Sequence, residues 1–213
     1  MPMAIPGKYA LVYVQNDDAP IEANDEPMST TDNLVFSIDD RNKRHWSRDF
    51  PVVVEEESSP GVWDVVDVGR YRVQHAGGRI HFHETQPLDV RVSMYYVTVS
   101  VAAGANDYSV TIGSEMIDTT EFASGGWRER MAGLVDATGS IGGFYLVNNF
   151  YQDRILQQES LVLEFYADQR ETEVLSFYAY LESKELAAAV EGAVGTSISW
   201  QSDGDILVDQ VPA

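Results

Sequence analysis

Hydrophobic and polar positions alternate with period two over several long stretches of this chain. Residues 108–113 set Tyr108, Val110 and Ile112 against Ser109, Thr111 and Gly113. Residues 135–142 set Val135, Ala137, Gly139 and Ile141 against Asp136, Thr138, Ser140 and Gly142. Residues 196–202 repeat the pattern, with Thr196, Ile198 and Trp200 against Ser197, Ser199 and Gln201. Each predicts a strand with one buried and one polar face. Between the first two, residues 119–133 carry Gly125-Gly126, Trp127, Arg128 and Arg130 and break both periodicities, which predicts a long loop. Loops of that length inside a compact domain are uncommon and usually have a function.

Residues 8–15 are apolar on both faces, as in a strand buried within a sheet. Residues 16–32 collect Asp, Asn, Pro, Ser and Thr and predict a loop or linker. Strands are then expected at 34–38, 52–56, 62–68, 71–75, 80–83 and 90–101 from their β-branched and aromatic content, with Gly77-Gly78 as a tight hairpin. These short strands, without a helical period among them, predict a small β unit at 20–97, inserted after a first core strand in 1–19, with the core resuming over 98–213. One helix is expected at 148–158, where Asn148 is a cap and Phe150, Tyr151, Ile155 and Leu156 share a face. Strands follow at 161–166 and 174–181, a turn at Asp203-Gly204-Asp205, and an arm or edge strand at 206–213. The alanines of 183–190 predict one or two helical turns. The fold class is all-β, with one flanking α-helix and the inserted β unit.

Composition narrows the function. The 213 residues suffice for a real core, and the 44% hydrophobic content excludes a wholly disordered chain. Thirty-four acidic against 14 basic residues give a net charge of -20, which excludes a general nucleic-acid-binding surface. With no cysteine, disulfides and thiolate metal sites are excluded. The first residues lack a basic segment and a long apolar run, so synthesis in a cytoplasm and no membrane insertion are expected.

Candidate chemistry is sparse. His81 and His83 lie on one face of a predicted strand, but Gln86 and Pro87 stand where a further carboxylate ligand belongs, so they read as polar surface. Asp203-Gly204-Asp205 lacks the later ligands of a calcium loop. Asp39 and Asp40 read as a solvated turn, and no nucleophile elbow or phosphate-cradling loop is present. The cluster Arg41, Lys43, Arg44 and Arg48, with His45 and Trp46, reads as a loop balancing the acidic surface, with binding of an acidic partner as the alternative. No catalytic residue, metal or cofactor is expected.

Four segments in order carry a resemblance: Asp118-Thr119-Thr120, Gly126-Trp127-Arg128-Glu129-Arg130, Gly133-Leu134-Val135-Asp136, and Gly139-Ser140 through Gly143-Phe144-Tyr145. With the ending from Thr196 to Gly204, they resemble the major tail tube proteins of long-tailed, siphovirus-like bacteriophages. The resemblance covers roughly the second half of the chain and residues 8–15. It implies a tail-tube β-sandwich or barrel core in a structural virion protein that is not an enzyme. Its hexameric rings would stack into the tail tube that conducts the genome during ejection. It also implies a ring-stacking loop within 117–133, using Thr119, Thr120, Glu121, Phe122, Trp127, Arg128, Glu129 and Arg130. Ser109, Thr111, Asp136, Thr138, Ser140, Ser197, Ser199 and Gln201 would then face the lumen. The implied partners are further copies, the tape measure, tail terminator and baseplate proteins, and DNA in transient passage. The alternative is a β-sandwich surface module binding a glycan or host surface, metal-assisted through His81 and His83. An acidic hydrolase ranks below both, because no site converges.

Overall fold

A computed structural model describes residues 10–121, 125–144, 150–168, 173–187 and 194–210. The described residues form an all-β protein of two antiparallel sheets with one α-helix. The chain divides into two compact units, one of Met1–Ala102, Val162–Phe177 and Leu207–Ala213, the other of Ala103–Leu161 and Tyr178–Ile206.

The first unit holds β1 (Leu11–Gln15), β9 (Val99–Val101), β12 (Leu161–Tyr166) and the start of β13 (Glu173–Ala187), hydrogen-bonded in the order β13-β12-β1-β9. In β12 Leu161 through Phe165 are all buried, as expected of a strand covered on both faces. The same unit carries a seven-stranded sheet of order β5-β4-β8-β2-β3-β7-β6. Its strands are β2 (Ile21–Thr30), β3 (Val35–Ile38), β4 (Val53–Ser59), β5 (Val62–Val65), β6 (Tyr71–Gln74), β7 (Arg79–Phe82) and β8 (Val90–Tyr96). Phe36, Trp46, Val54, Ile80, Val92 and Met94 form the centre of that sheet's core.

The second unit pairs β10 (Ala105–Asp118), β11 (Arg130–Phe144), β14 (Gly195–Gln210) and β13 in that order, and carries α1 (Phe150–Gln157). At roughly 3.3 Å per residue, the 14 residues of β10 extend about 46 Å, well beyond an ordinary strand. Gly139 lies under Trp200: a Cβ there would come within 2.6 Å of the indole and 2.0 Å of the Ser109 carbonyl oxygen.

Several expectations are corrected. Residues 16–32 are not one loop, because β2 occupies Ile21–Thr30. A register shift between Ala23 and Glu26, with Asp25 at φ 58°, interrupts its alternation, and only Ala23 and Met28 point into the core. Pro27 is tolerated there because pairing with β3 begins only at Met28. Residues 90–101 form two strands, β8 and β9, rather than one. Residues 183–187 continue β13 instead of turning helical: Ser183 Oγ lies 2.7 Å from Ser199 Oγ, and Thr196 Oγ1 donates to the Glu185 carbonyl at 3.1 Å. Alanine propensity, a few tenths of a kcal/mol per residue, yields to strand pairing here. Asp203-Gly204-Asp205 lies within β14, with Gly204 at φ 86°, and the strand runs on to Gln210. The loop of 119–133 shrinks to 119–129, because β10 and β11 extend to Asp118 and Arg130. Asn148, Phe122 and residues 188–193 and 211–213 lie outside the described residues.

Candidate functional site

Directly opposed residues of an antiparallel pair share a sheet face. In the register of β10, β11 and β14, Ser109 stands opposite Ser140, and Ser140 opposite Ser199; Thr111 stands opposite Thr138, and Thr138 opposite Gln201. Gly113 faces Asp136, and Gly142 faces Ser197. Period-two spacing therefore brings Ser109, Thr111, Asp136, Thr138, Ser140, Ser197, Ser199 and Gln201 onto one face. Their contacts join neighbouring strands: Ser109 Oγ to Ser140 Oγ at 3.0 Å, and Gln201 Nε2 donating to Asp136 at 3.3 Å. Six of the eight are exposed, with Ser140 and Ser199 half-buried. None of the eight is basic. The opposite face carries the buried Ala137, Ile141, Ile198 and Trp200.

Beyond Gly113 the hairpin changes character. The bulge is on β11, where Gly133 and Leu134 together stand against the single Glu115, between Ser114 opposite Val135 and Met116 opposite Ala132. Leu134 in this bulge is 82% exposed, and Met116, Ile117 and Met131 past it are exposed as well. At the turn Trp127 is 80% exposed, and Thr119, Thr120, Glu121, Arg128, Glu129 and Arg130 are exposed with it. The base of the turn is held by hydrogen bonds. Thr119 N donates to the Glu129 carbonyl at 3.0 Å, Glu129 N to Thr120 Oγ1 at 2.9 Å, and Thr120 N to the Asp118 carboxylate at 2.9 Å. Hydrogen bonds from the Thr120 hydroxyl and then from its backbone N–H hold the Asp118 carboxyl below its ordinary value. The hairpin thus presents several exposed apolar side chains with charged and aromatic residues at its end.

The basic cluster needs correction: Arg44, His45 and Trp46 are buried in the first unit rather than solvated. Glu164 receives the Arg44 guanidinium, lies 2.8 Å from His45 Nε2, and accepts from Ser176 Oγ at 3.2 Å and from the Tyr166 hydroxyl at 3.4 Å. His45 Nδ1 contacts the Ala76 carbonyl at 2.8 Å. Burial acts to raise the Glu164 pKa, but His45 and Arg44 overcome it and bring the group down to about 2. Sequence reasoning passed over Glu164, although a glutamate inside the apolar run Leu-Val-Leu-Glu-Phe-Tyr is itself a sign of a buried partner. The close approach at this corner also fixes Gly78: with φ at 60°, its Cβ would lie 2.8 Å from Arg44 Cα.

His81 Nε2 lies 3.4 Å from Gln74 Oε1, and His83 is exposed. Among the described residues no three histidine, aspartate or glutamate side chains group to hold a metal. Asp40 accepts from Asn42 N at 3.0 Å and closes a 3-10 turn over Arg41–Lys43. No described helix is long and apolar enough to cross a membrane.

The class these features define is an all-β protein with a one-sided polar sheet and a protruding apolar hairpin. No protein-family model and no curated protein matches the chain. Among solved structures it is similar to a chain in the C6-symmetric tail of an empty gene transfer agent particle: 18% identity over 52% of this chain and 86% of that one, TM-score 0.46. It is also similar to a chain of the native gene transfer agent virion, at 17% identity over 52% and 88% of the two chains and TM-score 0.44. A third similarity is to the SPP1 tail tube, at 18% identity over 54% and 70% and TM-score 0.42. Likenesses this distant decide neither family nor activity, so the functional reading rests on the chain's own geometry.

Proposed function

We infer that this chain is a structural virion protein, the subunit of a phage-like tail tube, and not an enzyme. Six copies close into a ring by joining sheet edges, and rings stack into a tube that conducts the genome during ejection. The observation that carries this reading is the gathering of eight hydroxyl, amide and carboxylate side chains, none of them basic, on one face of β10, β11 and β14.

Such a face suits a bore. Affinity for DNA is mostly neutralisation of phosphates by lysine and arginine, so a lining without either gives passing phosphates nothing to hold. Closing a ring pairs strand edges that would otherwise be open to aggregation. A contact between unlike surfaces, repeated along an axis, makes a tube. The hairpin supplies that contact, because exposed apolar side chains stand on both of its faces, Met116 on one and Ile117 with Met131 on the other, with Trp127 at its turn, and such apolar exposure marks an interaction surface. In this reading residues 20–97 decorate the ring. The tape measure, tail terminator and baseplate proteins are the partners, and the protein resides in the virion tail after synthesis in a host cytoplasm.

Electron microscopy of the purified chain beside two variants tests the proposal. The wild type is expected to form rings or tubes. Removal of residues 119–129 is expected to leave a folded subunit that no longer stacks, and Asp136→Arg to give tubes that retain DNA at low salt. Monodisperse wild-type particles without sixfold neighbours, or tubes of normal length from the deletion, would sink it.

A further inference from the structure

The first unit contains a cleft of about 430 Å³ that the tube reading does not use. It is lined by Tyr13 of β1, Arg41 and Asn42 of the 3-10 turn, Arg44, Glu164 and Tyr166, with Thr98 and Val99 at β9 completing the rim. Its volume falls within the range of ordinary ligand sites.

The electrostatics of the cleft divide into a closed floor and an open rim. On the floor, Glu164 is saturated by Arg44, His45, Ser176 and Tyr166, so its charge is spent internally. At the rim, the Arg41 guanidinium, the Asn42 amide and the Tyr13 hydroxyl have no hydrogen-bond or ion-pair partner among the described residues. Asp40, the nearest acid in sequence, is engaged by Asn42 N and by Lys43 at 3.7 Å. Three donors and one full positive charge therefore converge on a cleft in a chain of net charge -20. Tyr13 and Tyr166, with ring centroids 5.4 Å apart, add an aromatic wall.

We propose that this cleft is a carboxylate-binding site, and that its occupant is an aspartate or glutamate side chain of a second copy of this chain. An arginine with neighbouring neutral donors matches a carboxylate's acceptors, and the aromatic wall accommodates the methylene stem. Two features select a second copy. Each copy carries 34 acidic residues against 14 basic ones, so another copy offers an abundance of carboxylates. The cleft is also lined by Thr98 and Val99 at β9, the terminal strand of its sheet, so a copy joining that edge would bring its side chains near the rim. The choice of a second copy rests on the tube reading; the carboxylate site does not.

The test uses the full chain, Arg41→Ala and the charge-retaining Arg41→Lys. The Arg41 side chain is exposed and makes no hydrogen bond or ion pair among the described residues, so both variants are expected to keep the wild-type circular dichroism. Calorimetric titration of unassembled protein with glutarate should show roughly millimolar binding, as for a small ligand with few contacts, about tenfold weaker in Arg41→Ala and largely restored in Arg41→Lys. The protein concentration giving half-assembly by sedimentation should rise about tenfold in Arg41→Ala, and glutarate should inhibit wild-type assembly where sodium chloride of equal ionic strength does not. Absence of glutarate binding to the wild type overturns the site. Glutarate binding that depends on Arg41, combined with assembly that does not, overturns the second copy as occupant and assigns the cleft to a free carboxylate. If the wild type never assembles, the tube reading and the second-copy occupant fail together, while the glutarate titration still decides the site.

Discussion

Replacing Glu164 by glutamine removes one charge from the centre of the first unit while keeping the shape of the side chain. The carboxylate, 2% exposed, is the sole described acid contacting both Arg44 and His45. Its pKa is displaced from the ordinary 4.5 to about 2. Each tenfold change in a proton equilibrium is worth about 1.4 kcal/mol, so the ionised form contributes about 3 kcal/mol to the folded state. That agrees with the roughly 3–5 kcal/mol lost when one member of a buried pair is removed. Because the folded pKa lies below the unfolded one, this contribution is complete above about pH 4.5 and is lost as the pH falls towards 2. Glu164→Gln should therefore unfold at lower urea than the wild type at pH 7, by about 3 kcal/mol, with the gap closing between pH 4.5 and 2. The tryptophan fluorescence change on unfolding includes Trp46, whose indole is fully buried in this unit's core. Subtracting one curve from the other cancels the remaining carboxylates. A gap under about 1 kcal/mol at pH 7, or one that stays constant down to pH 2.5, would refute the assignment of the charge to Glu164.

Two further substitutions probe the sheets. Gly139→Val places methyl groups against the Trp200 indole and the Ser109 carbonyl; it should cost about 1–3 kcal/mol and red-shift Trp200 emission, and unchanged emission and stability would contradict the close packing. Arg91 lies 4.5 Å over the Trp63 ring and pairs with Glu55 at 2.8 Å and Asp25 at 3.2 Å, so Arg91→Ala should cost about 1 kcal/mol in urea titrations. A neutral result would mean that solvent screens the whole cluster.

How much was legible in the sequence follows from which contacts are local. Strict alternation at 108–113, 135–142 and 196–202 revealed the polar face and, opposite it, the buried Ala137, Ile141, Ile198 and Trp200, because a buried face and a polar face leave a period-two trace; Ile112 and Val135, read as part of the buried face, are exposed instead. The same rule failed where geometry breaks the period. The bulges at Gly133-Leu134 and after Ala23 shift alternation by a residue, so the hairpin end read as loop and β2 was missed. The 203–205 segment read as a turn because a glycine between aspartates is turn chemistry, yet pairing keeps it in the strand. The buried cluster was illegible for a different reason: Arg44 and Glu164 are 120 residues apart, and a basic run looks the same whether solvated or paired. Only Glu164's apolar neighbours hinted at it.

In the proposed tube a chain of net charge -20 would have to overcome its own repulsion, and the distribution of its side chains suits that. At physiological salt, charges separated by more than about 8 Å are largely screened, so the excess acts mainly where surfaces touch. The hairpin end exposes Met116, Ile117, Trp127, Met131 and Leu134 among its charged residues, and their burial against another copy would add an attraction that salt does not weaken. Beside β9, Arg41 offers a cation without an ion-pair partner among the described residues, which in the proposed contact would turn an acid on a neighbouring copy from a liability into an attraction. The eight residues of the polar sheet face offer neither, with Asp136 their only charge and no apolar group beyond methyls. Attraction is placed where copies would meet, and the face that would meet the genome is left without it. One excess of acid can therefore discourage DNA from lingering on that face without preventing the subunits from joining.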